Sequence, residues 1–263
     1  MKLLVTVTEV GEVDDDFEVS GTEIDDRYLD YDLNEWDDYA VEEAVQTAES
    51  GDADEVVAAT IGPERSEETI RMALAKGVDR AVRVWDDDVA AEDVLDPRSK
   101  ARLLAAVVEQ EEPDLVLTGV QASDDAFGAT GVALAERVGY EWAAVVNALD
   151  LDAEAGVASV YRELEGGVEE LTDVELPAVL TVQTGINEPR YASLRGIRQA
   201  QQKEIDHRTL ADLGLDAEAV RGPLELTAMD EPESDSEAEI FEGDAGETAA
   251  RLAGVLREKG VRE

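Results

Sequence analysis

Four short apolar runs, each followed by a stretch with helical spacing, fill the first half of the chain and leave few ways for it to fold. The first is at residues 3–10, where Val5 and Val7 alternate with Thr6 and Thr8. β-Branched or apolar runs at 55–61 and 80–85 follow, and then Leu115-Val116-Leu117. That last run is too short for a helix and lies between Pro113 and Gly119, which is how a strand buried on both faces reads. After the first run comes an acidic, glycine-containing segment reaching residue 32, with room for a short hairpin around Phe17-Glu18-Val19. Asn34 is then placed to cap a helix in which Tyr39, Ala40, Ala44, Val45 and Ala48 recur at helical spacing and which Gly51 closes. Ser66-Glu67-Glu68-Thr69 has the form of a capped first turn for a second helix carrying Ile70, Ala73 and Leu74. Residues 86–96 read as a loop or short helix, and 97–110 as a third helix. Such a β-α succession with short connections predicts an α/β fold: a mostly parallel sheet, helices on both faces, right-handed crossovers.

Ligands on such sheets bind beyond the carboxyl ends of strands, near a reversal of strand order. The candidate positions are therefore Thr8 and Glu9, residues 60–62, residues 119–130, and Asn34 ahead of the first helix. The fourth strand runs into Gln121-Ala122-Ser123-Asp124-Asp125, then into Gly128, Thr130 and Gly131 at the mouth of a helix with Val132, Leu134, Ala135 and Val138 on its apolar side. A strand edge, small residues and a helix N-terminus bring unpaired N–H groups together, which suits a phosphate. An ordinary α/β turn reads the same way, so this signal alone leaves the matter open.

The pattern changes after Gly139. Residues 143–149, 157–164 and 168–174 have strand character, the last two joined by Glu165-Gly166-Gly167, a hairpin turn signal. Pro177 precedes another apolar run at 178–182, and these hairpin strands are expected to extend the sheet antiparallel. Asn187-Glu188-Pro189 is a turn, and 191–205 reads as a loop and then a helix of weak periodicity. The expected organisation is an α/β domain at 1–205, an acidic extended linker at 206–239, and a C-terminal helical arm at 240–263 with Leu252, Val255 and Leu256 as its apolar stripe.

Charge narrows the function. The chain carries 65 acidic residues against 22 basic ones, a net −43. The acids spread along nearly its whole length, which fits adaptation to high salt, where counterions screen self-repulsion, better than one acidic face for a basic partner. It argues against nucleic acid and anionic membranes. With no cysteine there is no disulfide or thiolate nucleophile, and the single histidine, His207, has no Ser or Cys partner suggested by spacing. Pairs such as Asp37-Asp38 and Asp124-Asp125 are too common in this composition to mark acid–base catalysis, and no spacing marks a metal site. There is no G-x-x-x-x-G-K-[ST], and no G-x-G-x-x-G after the first strand. MKLLVTVTEV turns acidic after a few residues, so it reads as a strand and not a leader, and no run approaches the roughly 20 apolar residues of a membrane span. A soluble, cytoplasmic protein is expected.

Several segments together resemble the beta subunit of electron transfer flavoprotein. VYRELEGGVEELTDVELPAVLTV (160–182) has the family's signature pattern: a basic residue and an acid, a Gly-Gly turn, an acid-rich return strand, then Pro and an apolar strand. NEPRYASL (187–194) matches the segment that follows it, and GVQASDDAFGATG (119–131) resembles the family's nucleotide loop. LNEWDDYAVEEAVQ (33–46) and IGPERSEETIRMALAKGVDRA (61–81) also look like it, so the likeness covers nearly the whole chain. It implies an adenine nucleotide alpha-hydrolase-like fold and a heterodimer with an alpha subunit, onto which the C-terminal helix would dock. The alpha subunit would hold most contacts to one FAD, and this chain an AMP, or a second FAD in electron-bifurcating members. Electrons would come from dehydrogenases such as the acyl-CoA dehydrogenases of fatty acid oxidation and leave toward a membrane quinone oxidoreductase. Carried over by position, the nucleotide site would comprise Thr6, Asn34, Thr60, Gly119, Gln121, Ala122, Asp124, Asp125, Gly128, Ala129, Thr130 and Gly131. Thr6 and Thr60 match by position rather than identity. Gly128 and Ala129 stand where relatives usually have polar residues, so contact there would be through backbone N–H groups. The family often has a lysine just after the first strand, where this chain has Thr8-Glu9. Bifurcating members tend toward Asp-Gly where this chain has Asp124-Asp125, which favours AMP. Leu194 matches the leucine that anchors partner dehydrogenases, here flanked by Arg190 and Arg195. A stand-alone adenine-nucleotide-binding stress-type protein would share the sheet and loop but has no use for the hairpin or the tail helix.

Overall fold

The computed structural model describes residues 1–14, 16–231 and 240–260. The chain forms two compact units, residues 1–229 and 230–263. The first unit opens with β1 (Lys2–Thr6), β2 (Glu9–Val13), β3 (Val19–Ser20), β4 (Glu23–Ile24) and β5 (Leu29–Leu33). Then come α1 (Glu35–Ser50), β6 (Glu55–Ile61), α2 (Glu67–Lys76), β7 (Arg80–Val84), α3 (Asp87–Ala90), α4 (Pro97–Glu111), β8 (Leu115–Gly119) and α5 (Thr130–Val138). It continues with β9 (Glu141–Val146), β10 (Ala148–Asp152), β11 (Val157–Leu164), β12 (Val168–Glu175), β13 (Ala178–Val182), α6 (Leu194–Ala200) and β14 (Ile205–Arg208).

Seven strands form one sheet in the order β14-β7-β6-β1-β8-β13-β9, and every neighbouring pair is parallel. Two apolar layers explain why its inner strands read as continuous apolar runs. Leu3 and Val5 of β1 face Ala40 and Val41 of α1 and Ile70 and Leu74 of α2 in one cluster. Leu4, between them, belongs to the other cluster with Leu103 and Leu104 of α4 and Leu134 of α5. Each of these leucines is essentially fully buried, and burial of such a side chain stabilises a fold by roughly 1.5–3 kcal/mol.

Several details depart from expectation. The first strand stops at Thr6, and β2 turns away to pair antiparallel with β5. β3 and β4 make the small hairpin anticipated in the acidic segment, turning at Gly21 with φ 71°. The Gly166-Gly167 hairpin is antiparallel as read, but β10, β11 and β12 make a separate three-stranded sheet, and β9 and β13 join the main sheet in parallel. The segment from residue 206 is not an extended linker at its start. β14 pairs with β7, and Leu210, Leu213 and Val220 are buried against α4's layer. Arg102 fastens the end of this segment by donating from Nη1 to the carbonyls of Glu218, Ala219 and Arg221. The last part of the expected linker, 232–239, lies outside the described residues.

The second unit contains α7 (Ala245–Glu258), started by Asp244, whose carboxylate accepts from the N–H groups of Gly246 and Glu247. No residue of α7 is buried, and Leu252 and Leu256 of its apolar stripe are exposed. No helix among the described residues is long and apolar enough to cross a membrane.

Candidate nucleotide site

The chain steps outward from β1 through β6 and β7, then returns to β8 on β1's other side. Strand order therefore reverses between β1 and β8, and their carboxyl ends part to leave a crevice. A cavity of about 490 Å³ opens there, bounded by the ends of β1, β6 and β8 and by the N-terminal turns of α1 and α5.

Asp37, in the first turn of α1, ties this crevice together. It is 2% exposed. Its Oδ1 accepts from the Thr6 hydroxyl at 3.0 Å and from the Gly119 N–H at 2.9 Å, and its Oδ2 accepts from the Thr8 N–H at 2.8 Å. Burial pushes its carboxyl above the ordinary carboxylate range, while the hydrogen bonds from Thr8, Gly119 and Thr6 pull the other way. Gly119 permits this close approach: a Cβ there would lie 2.6 Å from Trp36 Cβ and 2.8 Å from Asp37 Oδ1. Asn34 occupies the cap position of α1 but makes no capping bond with its side chain. Instead its Nδ2 donates to the Gln121 carbonyl at 2.9 Å, and its Oδ1 accepts from the Ser123 N–H at 3.3 Å, so it fastens the loop after β8.

That loop takes a left-handed turn at Ala126 (φ 50°) and Gly128 (φ 60°). Asp125 braces it, accepting from the Phe127 N–H at 3.1 Å and pairing with Lys100 of α4 at 2.5 Å. Desolvation and the neighbouring Asp125 push the Asp124 carboxyl up, against the pull of Lys100. The loop ends at Ala129, the cap position of α5, where no side chain caps the helix. The first-turn N–H groups of α5 thus start at the cavity without a partner side chain, the arrangement that receives an anion. Gly131 sets α5 tightly on the sheet, since a Cβ there would lie 2.5 Å from Thr118 Oγ1 and 2.6 Å from Thr181 Cγ2.

Of the positions singled out from the sequence, Thr6, Asn34, Gly119, Gln121, Ala122, Asp124, Asp125, Gly128, Ala129 and Thr130 line the cavity. Gly131, in the first turn of α5, faces the sheet, and neither it nor Thr60 lines the cavity. Thr60 is 1% exposed and donates its hydroxyl to the Val7 carbonyl at 2.8 Å, which locks β6 to the end of β1. Thr8 and Glu9, expected beyond the first strand, do line it. Asp37, Arg65, Ser66 and Lys100 line it as well and were not foreseen. Ser66 holds the cap position of α2 as read, but its side chain makes no capping bond, and its hydroxyl donates to Glu9 Oε1 at 3.1 Å. Arg65 pairs with Glu9 at 2.9 Å and stacks 4.0 Å over the Tyr31 ring.

A family model described as electron transfer flavoprotein domain matches residues 22–213. The electron transfer flavoprotein subunit beta of Methylophilus methylotrophus is 43% identical over 264 residues, 98% of each chain. This chain belongs to the electron transfer flavoprotein beta-subunit family. The Bradyrhizobium diazoefficiens subunit beta is 37% identical over 261 residues, 97% of this chain and 100% of that one, and the human subunit beta is 39% identical over 200 residues, 76% of each. Its role is therefore that of an electron-transfer subunit.

The segment that resembled the family's partner-binding loop leads into α6 and does not line the cavity. Leu194 opens that helix and is 77% exposed, with Tyr191 and Ile197 also exposed beside it in the chain. Arg190 is not a free flank. Its guanidinium donates to Glu42 and Glu49 of α1, and these two acids hold it well above its ordinary pKa. Arg195 is exposed and makes no ion pair among the described residues. α6 is fixed to α2 by an exchange of cations. Arg71 of α2 donates to the carbonyls of Ala200 and Lys203 at 2.6 and 2.7 Å, and Lys203 donates back to those of Leu74 and Val78 at 3.1 and 2.5 Å. Gly196 lets the helices touch, since a Cβ there would strike the Ala75 carbonyl.

Proposed function

We propose that this chain is the beta subunit of a heterodimeric electron transfer flavoprotein and holds AMP between β1 and β8. The observation that carries this reading is the uncapped N-terminus of α5 at the reversal of strand order. The site suits an adenylate: about 490 Å³ lies within the range of small-ligand pockets, roughly 300–1,000 Å³. Main-chain N–H groups at residues 129–131 would take the phosphate, with Gly128 letting the loop turn at positive φ and Gly131 seating the start of α5 on the sheet. Asn34 and Asp37 would hold the loop and the strand ends in register for it.

The redox group would be an FAD held mainly by the alpha subunit, supplying electron transfer when bound. This chain's task is then to shape the complex and to meet partners, and it calls for no acid–base residue. Leu194 would be the apolar anchor for dehydrogenases such as acyl-CoA dehydrogenases, presented on α6 with Arg195 beside it. Electrons would leave to a quinone oxidoreductase, and α7 would dock its Leu252 and Leu256 stripe on the alpha subunit. The acidic surface would suit the cytoplasm of an organism living in high salt.

The test is to denature the purified heterodimer and identify what it releases. One AMP and one flavin per heterodimer are expected. Two flavins with no AMP would assign the cavity to a second FAD, and a stable solitary chain needing no second subunit would refute the heterodimer.

A further inference from the structure

The cavity wall carries the wrong sign for an ordinary phosphate site. Glu9, Asp37, Glu92, Asp93, Asp124 and Asp125 line it, against Arg65 and Lys100 as its cations, a formal excess of four negative charges. Both cations are already engaged, Arg65 with Glu9 at 2.9 Å and Lys100 with Asp125 at 2.5 Å. Just past the end of β1 stand Thr8 and Glu9, neither of them a cation.

We infer that this site selects its nucleotide by charge number, taking the adenylate with the fewest phosphates, and that it binds that nucleotide more tightly as salt is raised. The inference rests on the adenylate reading above and adds to it the rule of choice. At a phosphate site built from Lys and Arg, salt screens attraction and weakens binding. Here the attractive partners are neutral N–H groups acting at contact range, and the charges acting at longer range repel. Screening therefore removes mainly the repulsion, as the Debye length shrinks from about 10 Å at 0.1 M to about 3 Å at 1 M salt. Each further phosphate brings charge toward the wall and finds no unengaged cation to meet it. AMP is favoured over ADP, ADP over ATP, and the pyrophosphate of a dinucleotide is disfavoured for the same reason.

The test exchanges labelled AMP into the purified heterodimer and competes it with adenosine, AMP, ADP or ATP from about 0.3 M to about 3 M KCl. AMP affinity is expected to rise by roughly fivefold over that range, with adenosine changing by less than about twofold and the AMP-to-ATP gap narrowing as salt increases. The Glu92→Gln/Asp93→Asn variant, altered at the cavity mouth, is expected to bind AMP more tightly at low salt and to flatten the slope. AMP binding that weakens with salt, or ATP binding as tightly as AMP at the lowest salt, overturns the inference while leaving an adenylate site in place. If none of the four compounds competes at any salt and no labelled AMP is taken up, the adenylate reading itself fails, and the inference with it.

Discussion

Replacing Asp37 by asparagine tests whether one buried carboxylate holds the crevice open. The wild-type side chain receives three hydrogen bonds, from Thr6 Oγ1, Gly119 N and Thr8 N. Asparagine offers one accepting oxygen. If that oxygen keeps Thr6 and Gly119, the amide Nδ2 is left facing the Thr8 N–H, at a position 2.8 Å away in the wild type, donor against donor. Leaving a buried N–H without an acceptor costs about 1–3 kcal/mol. The two retained bonds lose their ionic character and about half their strength, roughly 1 kcal/mol together. Removing a buried charge returns part of this, so Asp37→Asn should destabilise by about 2 kcal/mol. For a domain of this size that lowers the melting temperature by about 4–8 °C. The assay is thermal unfolding of the purified heterodimer in high salt, with nucleotide content measured on the same samples. Asp38→Asn is the matched control: Asp38 is 25% exposed, and an asparagine oxygen there can still accept from the Lys76 ammonium, so the change should cost about 1 kcal/mol. An Asp37→Asn protein that melts with wild type and keeps its nucleotide refutes the reasoning, as does a control that is the worse of the two.

Gly131→Ala should force α5 off Thr118 and Thr181 at a cost of about 1–3 kcal/mol and lower AMP content in the purified complex, measured by release on denaturation. Leu194→Ala should slow electron transfer from dehydrogenases while flavin content stays constant, and unchanged stopped-flow rates would remove Leu194 from that role. Arg190→Gln should cost about 1–2 kcal/mol near neutral pH by releasing Glu42. In the wild type, burial opposes the charged Glu42, but hydrogen bonds from Arg190 and Gln46 outweigh it and hold its carboxyl below the usual range. Folded-state depression of this kind adds stability above roughly pH 4.3, the unfolded glutamate value, and loses it as pH falls through the folded value. Acid titration of unfolding should therefore show a shallower decline for the variant than for wild type.

The inner strands were legible because both of their faces are covered: Leu115-Val116-Leu117 and 178–182 have no solvent side to break the apolar run. β14 was not, because an edge strand reading Ile-Asp-His-Arg is half-exposed and pairs on one side only. β9 and β13 sit in parallel through contacts that span the sheet, and a local Gly-Gly signal between other strands could not report that. Around the crevice, the loop after β8 was legible because small residues between a strand and a helix start are informative. Asp37 was not, as one of 65 acids whose burial depends on β1 and β8 meeting α1. The engagements of Thr60 and Arg190 were hidden for a related reason: their partners, the Val7 carbonyl and Glu42 with Glu49, lie far off in sequence.

The exchanged grip of Arg71 and Lys203 makes α2 and α6 a single cooperative piece. Fraying past the carboxyl end of α6 withdraws Lys203 from the carbonyls of Leu74 and Val78, and opening of α2 as far as its middle withdraws Arg71 from those of Ala200 and Lys203, so opening of one weakens the other. Their amide hydrogens should exchange with a shared rate, and the leucine at the start of α6 is thereby carried on a stiff mount rather than a swinging loop.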